Sequence, residues 1–408
     1  MNFSKPHKSV LFGIFMSDAV STKSETSTGV RQIVEPLVLL LLAGLLFGYL
    51  GQTMGITNMF NTLFNTAHQL LLNTVLFLMG ITVLTGAAGR LLVEFHVVSL
   101  IERMLTPLMR PVFNLPGRAA MAAMMTFFSD NPAIIGLAKD RRFNHSFKVP
   151  EIISLTNFGT SFGMGLIVIT FMATLKNNET GATYFLPAII GLGGALAGAI
   201  ISTRLMQRFI RNDSRLHKLS IKDTHSELLD DHSSTDPVWL RFLNALLDGG
   251  KSGVRMGVAI IPGVLIISTF VMVLTFGAPT TGYTGGAFEG VALLPKLANH
   301  TSWLFELLFG FNHAELVAFP VTSLGAVGAA MSLVPTFISQ GIISGSDIAV
   351  FTAMGMCWSG YLSTHTAMLD SLGFRQLTSK AILAHTIGGI CAGVTARYLY
   401  LLLSPFIG

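Results

Sequence analysis

The sequence predicts an all-α polytopic membrane protein built from two inverted repeats, with about seven transmembrane helices plus two re-entrant helical hairpins. Three observations lead there. The 408 residues are 51% hydrophobic and only 12% charged, against about 25% charged in soluble proteins. The mean hydropathy is +0.63, and several apolar stretches approach the ~20 residues that span a bilayer. Finally, the order of elements in the first half recurs in the second, and each half holds one apolar segment with a polar, proline-containing centre.

Taken in order, residues 1–32 read as a cytoplasmic tail. Val10 to Met16 mimics the apolar core of a signal peptide, but the SDAVSTKSETSTG that follows offers no small-x-small cleavage context. The first span runs from Ile33 to about Leu50, followed by a loop to residue 68, and a second span covers about Gln69 to Gly89. Next, Phe95, Val98, Leu100, Ile101, Leu105 and Met109 recur near helical spacing, with Glu94, Glu102, Arg103 and Arg110 among them. That pattern predicts an amphipathic helix lying in the interface.

The stretch 117–140, GRAAMAAMMTFFSDNPAIIGLAKD, carries Ser129-Asp130-Asn131-Pro132 at its centre. A carboxylate facing lipid is costly there, and Pro132 cannot continue a helix ladder. Broken backbone at membrane depth is tolerated only where it lines protein or a cavity. A basic loop, KDRRFNHSFK at 139–148, precedes spans at about Glu151–Leu175 and Tyr184–Leu205, which flank the polar KNNETGA. Residues 207–251 read as a solvated cytoplasmic linker. His217, His225 and His232 within it are seven to eight residues apart, a spacing that fits no tight metal-ligand motif.

The second half opens with a span at about Met256–Phe276 and a Gly-rich loop, then a short interfacial helix at Leu293–Phe311 carrying Trp303. AELVAFPVTSLGAVGAAMSLVPTFI follows, interrupted by Pro320, Thr322, Ser323 and Gly325. Spans at about Ile348–Leu369 and Ala381–Leu402 complete the chain. The repeat aligns at an offset of 196, pairing Glu151 with Asp347, Thr156 with Thr352 and Gly159 with Gly355. GGALAG at 193–198 answers GGICAG at 388–393, small residues of the kind that let membrane helices approach closely.

Charge chooses between crossing segments and hairpins. If both broken segments return to the side they enter from and the N-terminus is inside, 23 of the 26 Lys and Arg residues face the cytoplasm, all but Lys176, Lys296 and Arg397. If both cross, the inside count falls to 12. The positive-inside rule selects hairpins, and the second repeat is then inverted relative to the first. The expected divisions are 1–32 tail, 33–68 first transmembrane helix and loop, 69–206 first repeat, 207–251 linker and 252–408 second repeat.

LTPLMRPVFNLPGRAAM at 105–121, the FFSDNP tip and TNFGTSFGMG at 156–165, in that element order, resemble the concentrative nucleoside transporters. They also resemble the wider Gate-domain, nucleoside-recognition family of YjiH-type proteins, spore maturation proteins and the ferrous-iron transporter core. The resemblance covers roughly Leu70 to the C-terminus. It implies that the first hairpin and its following span contact a base and a coupling ion through Ser129, Asp130, Asn131, Thr156, Asn157, Thr160 and Ser161. It further implies that Thr322, Ser323, Ser359, Thr364 and His365 meet a sugar. The second tip departs from the nucleoside-transporter pattern in carrying no acid, Glu315 lying before it near the interface.

Read from the residues alone, Asp130 is the principal candidate, either as a Na⁺ or H⁺ carrier or as an N-cap of the hairpin's second arm. Asn157 either completes an ion shell with Thr160 and Ser161 or bridges helices. His365 and Asp370 read as a surface pair, His313 and Glu315 as caps at the second hairpin's entry, and Cys357 and Cys391 as packing residues. The chain lacks a P-loop, a HExxH motif and a nucleophile–base pair, so neither an enzyme nor an ATP-driven pump is expected. Basic runs interleaved with aromatics are missing too, and no nucleic-acid partner or resident cofactor is expected. The expected function is secondary active transport of a small polar solute, a nucleoside among the candidates, in the inner (cytoplasmic) membrane. The alternative is a non-transporting scaffold or assembly factor of the spore-maturation type. The oligomeric state, homo-oligomer included, stays open.

Overall fold

A computed structural model describes residues 33–139, 143, 145–211 and 237–407. The tail 1–32, much of the basic loop, and His217, His225 and His232 lie outside the described residues. Among the described residues six helices are long and apolar enough to cross a membrane, and the fold is all-α and polytopic.

The helix α1, Ile33–Met54, turns at Gly55 (φ 82°) into α2, Ile56–Glu94. At 39 residues α2 is far longer than the predicted span and absorbs residues 56–68, where the sequence predicts a loop. Asn58, Asn65 and Thr66 make that stretch look loop-like, yet their side chains bond to the loop 277–292. Amphipathic α3, Val97–Leu108, widens into a π-turn at Met109–Phe113 and leads to α4, Ala119–Phe128, and α5, Pro132–Lys139. With ten and eight residues, these arms reach only about 15 and 12 Å at ~1.5 Å per residue. Neither can cross ~30 Å of hydrocarbon.

The next span is broken. α6, Val149–Thr160, and α7, Gly165–Thr174, are separated by a turn that ends in Met164 with φ 52°. α8, Phe185–Ile210, returns. The second half starts with α9, Val238–Thr275, 38 residues long, so the expected linker ends by residue 237. α10, Leu293–Phe309, meets α11, Ala314–Ser323, at 76°, which is an interfacial helix followed by a hairpin arm. α12, Val327–Ser339, is the other arm. α13, Gly345–Cys357, and α14, Tyr361–Ser371, form the second broken span, and α15, Thr378–Ile407, ends the chain.

The repeat is visible in backbone detail. Gly360 opens α14 at φ 63°, ψ 27°, and Met164 opens α7 at φ 52°, ψ 27°, 196 positions earlier. Both α6 and α13 begin with a carboxylate reaching back to the N-cap N–H, Glu151 to Lys148 and Asp347 to Ser344, each at 2.8 Å. Such capping satisfies donors that a helix start leaves free.

α8 serves as a ruler for sidedness. Near its C-terminal end, Arg204 and Gln207 donate to the Pro111, Val112 and Phe113 carbonyls at the base of the first hairpin. Just before its N-terminal end, Asn178 donates to Ile338 O at the base of the second, 2.8 Å away. The two hairpins therefore enter from opposite faces.

Close helix contacts hold the long elements. Thr82 Oγ1 donates to Gly253 O at 2.8 Å, and a Cβ on Gly253 would stand 2.2 Å from Thr82 O. α8 and α15 cross at Gly198 and Gly388, each carbonyl where the other's Cβ would sit.

Candidate functional site

The sequence builds the centre of the molecule by interrupting helices. Each break frees carbonyls and N–H groups that the ladder would otherwise use, and at this depth they must find protein partners. Both hairpin tips supply them at one place. Asn131 Nδ2 donates to Ser359 O with a very short contact, and Gly360 N–H donates to Ser323 O at 3.5 Å. Two opposed hairpins thus end on consecutive residues of the α13–α14 break.

Asn131 also packs on the other break, since a Cβ on Gly163 would stand 2.2 Å from its Oδ1. That oxygen is buried with no hydrogen-bond partner among the described residues. Asp130 is half-buried, and its Oδ1 accepts the N–H of Asn131 at 2.7 Å. The carboxylate does not cap the inner N–H groups of α5; Ala133 N–H goes instead to the Asp130 backbone O. Among the described residues Asp130 has no cationic partner. Ser129, half-buried, closes α4 in a non-helical conformation.

Thr160 and Ser161 are fully buried, and each hydroxyl donates to the carbonyl four residues back, at 2.6 and 2.8 Å. Their oxygens keep lone pairs. Thr156 Oγ1 and Asn157 Oδ1 are buried without hydrogen-bond partners among the described residues. The Asn157 amide nitrogen joins helices, donating to Ser202 Oγ on α8 and Ala381 O on α15 at 3.0 and 2.9 Å. At the second tip, Thr322 and Ser323 are buried, with their hydroxyls on Ala318 O and Pro320 O. Thr364 Oγ1 lies 3.3 Å from Gly360 O.

His365 departs from its sequence expectation. It is fully buried, with its ring 4.6 Å from that of His385, while Asp370 is exposed and faces Arg375 at 3.9 Å. A helix of 30 residues, α15, brings His385 across α14, a crossing that spacing within α14 cannot reveal. His313 makes no side-chain cap at the second hairpin's entry. Ser202, Tyr361 and His385 are the central polar residues that sequence reasoning missed. Their only sequence signal is a polar residue inside an apolar span. Trp358 is buried against Gly389, whereas Trp303 is exposed on α10.

Fold and site together define a class: an all-α, multi-pass membrane protein in which two opposed re-entrant hairpins meet at a broken span. Solved structures of CNTnw, a concentrative nucleoside transporter, follow a similar path. An inward-facing, substrate-bound state is 13% identical with a TM-score of 0.49, covering 95% of this chain and 86% of that one. A doubly substituted form in an outward-facing state is 12% identical with a TM-score of 0.48, covering 95% and 87%. No protein-family model matches the sequence, and no curated protein matches it.

Proposed function

We propose that this protein is a secondary active transporter of a small polar solute, bound between the hairpin tips near the membrane midplane and coupled to Na⁺ or H⁺. One observation supports it above others: both tips end on Ser359-Gly360, one from each face. A rocking or sliding of either repeat would open that point to one side at a time. Substrate contacts are assigned to Ser129, Asp130, Asn131, Thr322, Ser323, Ser359, Thr364 and His365. Asp130 with Thr160 and Ser161 forms the ion-coupling group, and Asn157 Oδ1 is a further oxygen for it. Oxygen donors of this kind suit a hard cation. The motif resemblance at 105–121, 127–132 and 156–165 supports a nucleoside as the first solute to try.

Lys176, Lys296 and Arg397 are the basic residues expected on the face where the second hairpin enters, so the positive-inside rule puts the opposite face and the N-terminus in the cytoplasm. Purified full-length protein is tested for thermal stabilisation by nucleosides, nucleobases and amino acids, in NaCl and in choline chloride, with uptake into proteoliposomes as the second readout. Stabilisation by one solute class, strengthened by Na⁺ or by a proton gradient in uptake, is expected. No solute and no ion effect overturns the transport reading and leaves a membrane scaffold.

A further inference from the structure

The polar groups around the two helix breaks form a closed circuit. Asn157 Nδ2 donates to Ser202 Oγ at 3.0 Å, and Ser202 Oγ lies 2.9 Å from His385 Nδ1. His385 Nε2 lies 2.5 Å from Cys357 O. Cys357 Sγ is 3.7 Å from Ser161 O, and Ser161 Oγ donates to Asn157 O at 2.8 Å. All five residues are at most 1% exposed.

The proton positions follow from the partners. Cys357 O and Ala381 O can only accept, so His385 carries its proton on Nε2, and the group of Asn157 facing α15 is its NH₂. His385 Nδ1 is then an acceptor, and Ser202 donates to it. Every link has one direction. The thiol is the weakest, being a poor donor that also lies 3.8 Å from Ala195 O.

Cys357 is the last residue of α13, and the Trp358-Ser359-Gly360 turn interrupts the ladder there. His385 therefore takes the place of a missing ladder donor, next to the residues both hairpin tips bind. Within the transport reading above, we propose that His385 is a positioning residue for the binding site. It holds the Cys357 carbonyl, and with it the 358–360 turn, in the conformation that accepts from Asn131 and donates to Ser323 O. Ser202, itself bonded by Asn157, donates to Nδ1 and keeps the ring turned so that Nε2 meets Cys357 O.

The two ring nitrogens can be tested apart. In His385→Gln the amide nitrogen can replace Nε2 on Cys357 O while the Ser202 acceptor is lost. In His385→Asn the shorter amide can replace Nδ1 toward Ser202 and leaves Cys357 O bare. Hydrogen exchange of full-length protein in nanodiscs, on peptides spanning 355–365, reads the turn without any solute. His385→Gln is expected to keep wild-type protection, and His385→Asn to raise exchange about tenfold there while protection of α2 and α9 is unchanged. Ser202→Ala, which retains the imidazole and the Cys357 O acceptor, is expected to keep the Nε2–H tautomer and to move the His385 Nδ1 ¹⁵N signal downfield, because that nitrogen loses its donor.

Equal exchange in both His385 variants, or an unaltered Nδ1 signal in Ser202→Ala, overturns the proposal. If neither His385 variant folds, the Ser202→Ala spectrum decides it alone. Exchange and the Nδ1 signal are measured without solute, so a wild-type protein that moves no solute counts against the transport reading and leaves this result standing.

Discussion

Arg110 Nη1 stands 2.6 Å from Glu151 Oε1, and both arms of the first hairpin lie within the 41 positions that separate them. An ion pair joining the residue before a segment to the residue after it fixes entry and exit on one face. The pair itself contributes little, because Arg110 is 57% exposed and such pairs are worth about 0–1 kcal/mol. Its value is geometric. Single cysteines replacing Arg103 or His145, in a Cys391→Ala background, are expected to react with an impermeant thiol reagent from the same side. Cysteines replacing Asn178 or Thr281 react from the other. Labelling of positions 103 and 145 from opposite sides would convert the hairpin into a crossing.

Asp130 at the first tip has a neighbouring N–H as its partner and no cation among the described residues. Charge on a half-buried carboxylate at this depth needs a counter-charge, which in the proposed transport a Na⁺ or proton would supply. Asp130→Asn keeps the shape and removes the charge. Ion-driven uptake is expected to fall to background, with a melting temperature within about 3 °C of wild type, since the change removes no packing. Wild-type uptake by this variant removes Asp130 from the mechanism.

Glu289 organises the loop 277–292 that docks on α2. Burial pushes its carboxyl up, but the Thr284 hydroxyl and the N–H groups of Gly286, Thr284 and Gly285 outweigh this and hold it below its ordinary 4.5. A folded carboxyl that titrates below its unfolded value stabilises fully above that unfolded value. The contribution is lost as pH falls through the lower, folded value. Glu289→Gln is expected to lose about 1–3 kcal/mol near neutral pH, the worth of hydrogen bonds to a charged group. Thermal melts of the variant should also decline less steeply than wild type below pH 4.5. Parallel wild-type and variant curves would show that Glu289 is not what titrates.

Gly253 sits where α9 meets α2, and a Cβ there would lie 2.2 Å from the Thr82 carbonyl. Backbone cannot yield as a side-chain tip can, so Gly253→Leu must separate the helices and break the Thr82 hydrogen bond. The expected loss is about 1–3 kcal/mol or more by thermal unfolding. Gly44→Leu on α1 is the control, because among the described residues no atom outside its own stretch of helix lies within 4 Å of its Cβ position. Similar melting temperatures for the two variants would contradict the crossing.

The spans, the hairpins and the repeat were legible because each follows from local chemistry. Pro132 and Asp130 cannot continue a lipid-facing helix, and the Lys and Arg residues count only if the chain turns back. The offset of 196 links Glu151 with Asp347, and both act as capping carboxylates. What stayed hidden depends on partners distant in sequence. Asn58 and Asn65 look like loop residues until the 277–292 loop arrives 220 or more positions later. His365 looks like a partner for Asp370 until α15 lays His385 beside it. Nothing in the spacing of α8 marks Ser202 as the link between Asn157 and that histidine.

The α13–α14 break and the second hairpin tip offer a test in which backbone conformation is separated from space. Gly360 has φ 63°, and the nearest atom to an added Cβ is Gly325 O at 3.6 Å. Gly325, at the opposing tip, would meet Thr322 O at 3.7 Å, in ordinary van der Waals contact. Room is therefore equal, and only Gly360 is in the left-handed region, where an L side chain costs about 1–2 kcal/mol. Gly360→Ala is expected to push the turn out of the conformation that presents Ser359 O to Asn131 and its own N–H to Ser323 O. Solute affinity or uptake should fall about tenfold, which corresponds to ~1.4 kcal/mol, with a modest drop in melting temperature. Gly325→Ala should leave both unchanged. If the two alanines weaken the protein equally, crowding at the tips matters and the strained turn does not; if only Gly325→Ala does, the site is centred on the second hairpin and not on the break.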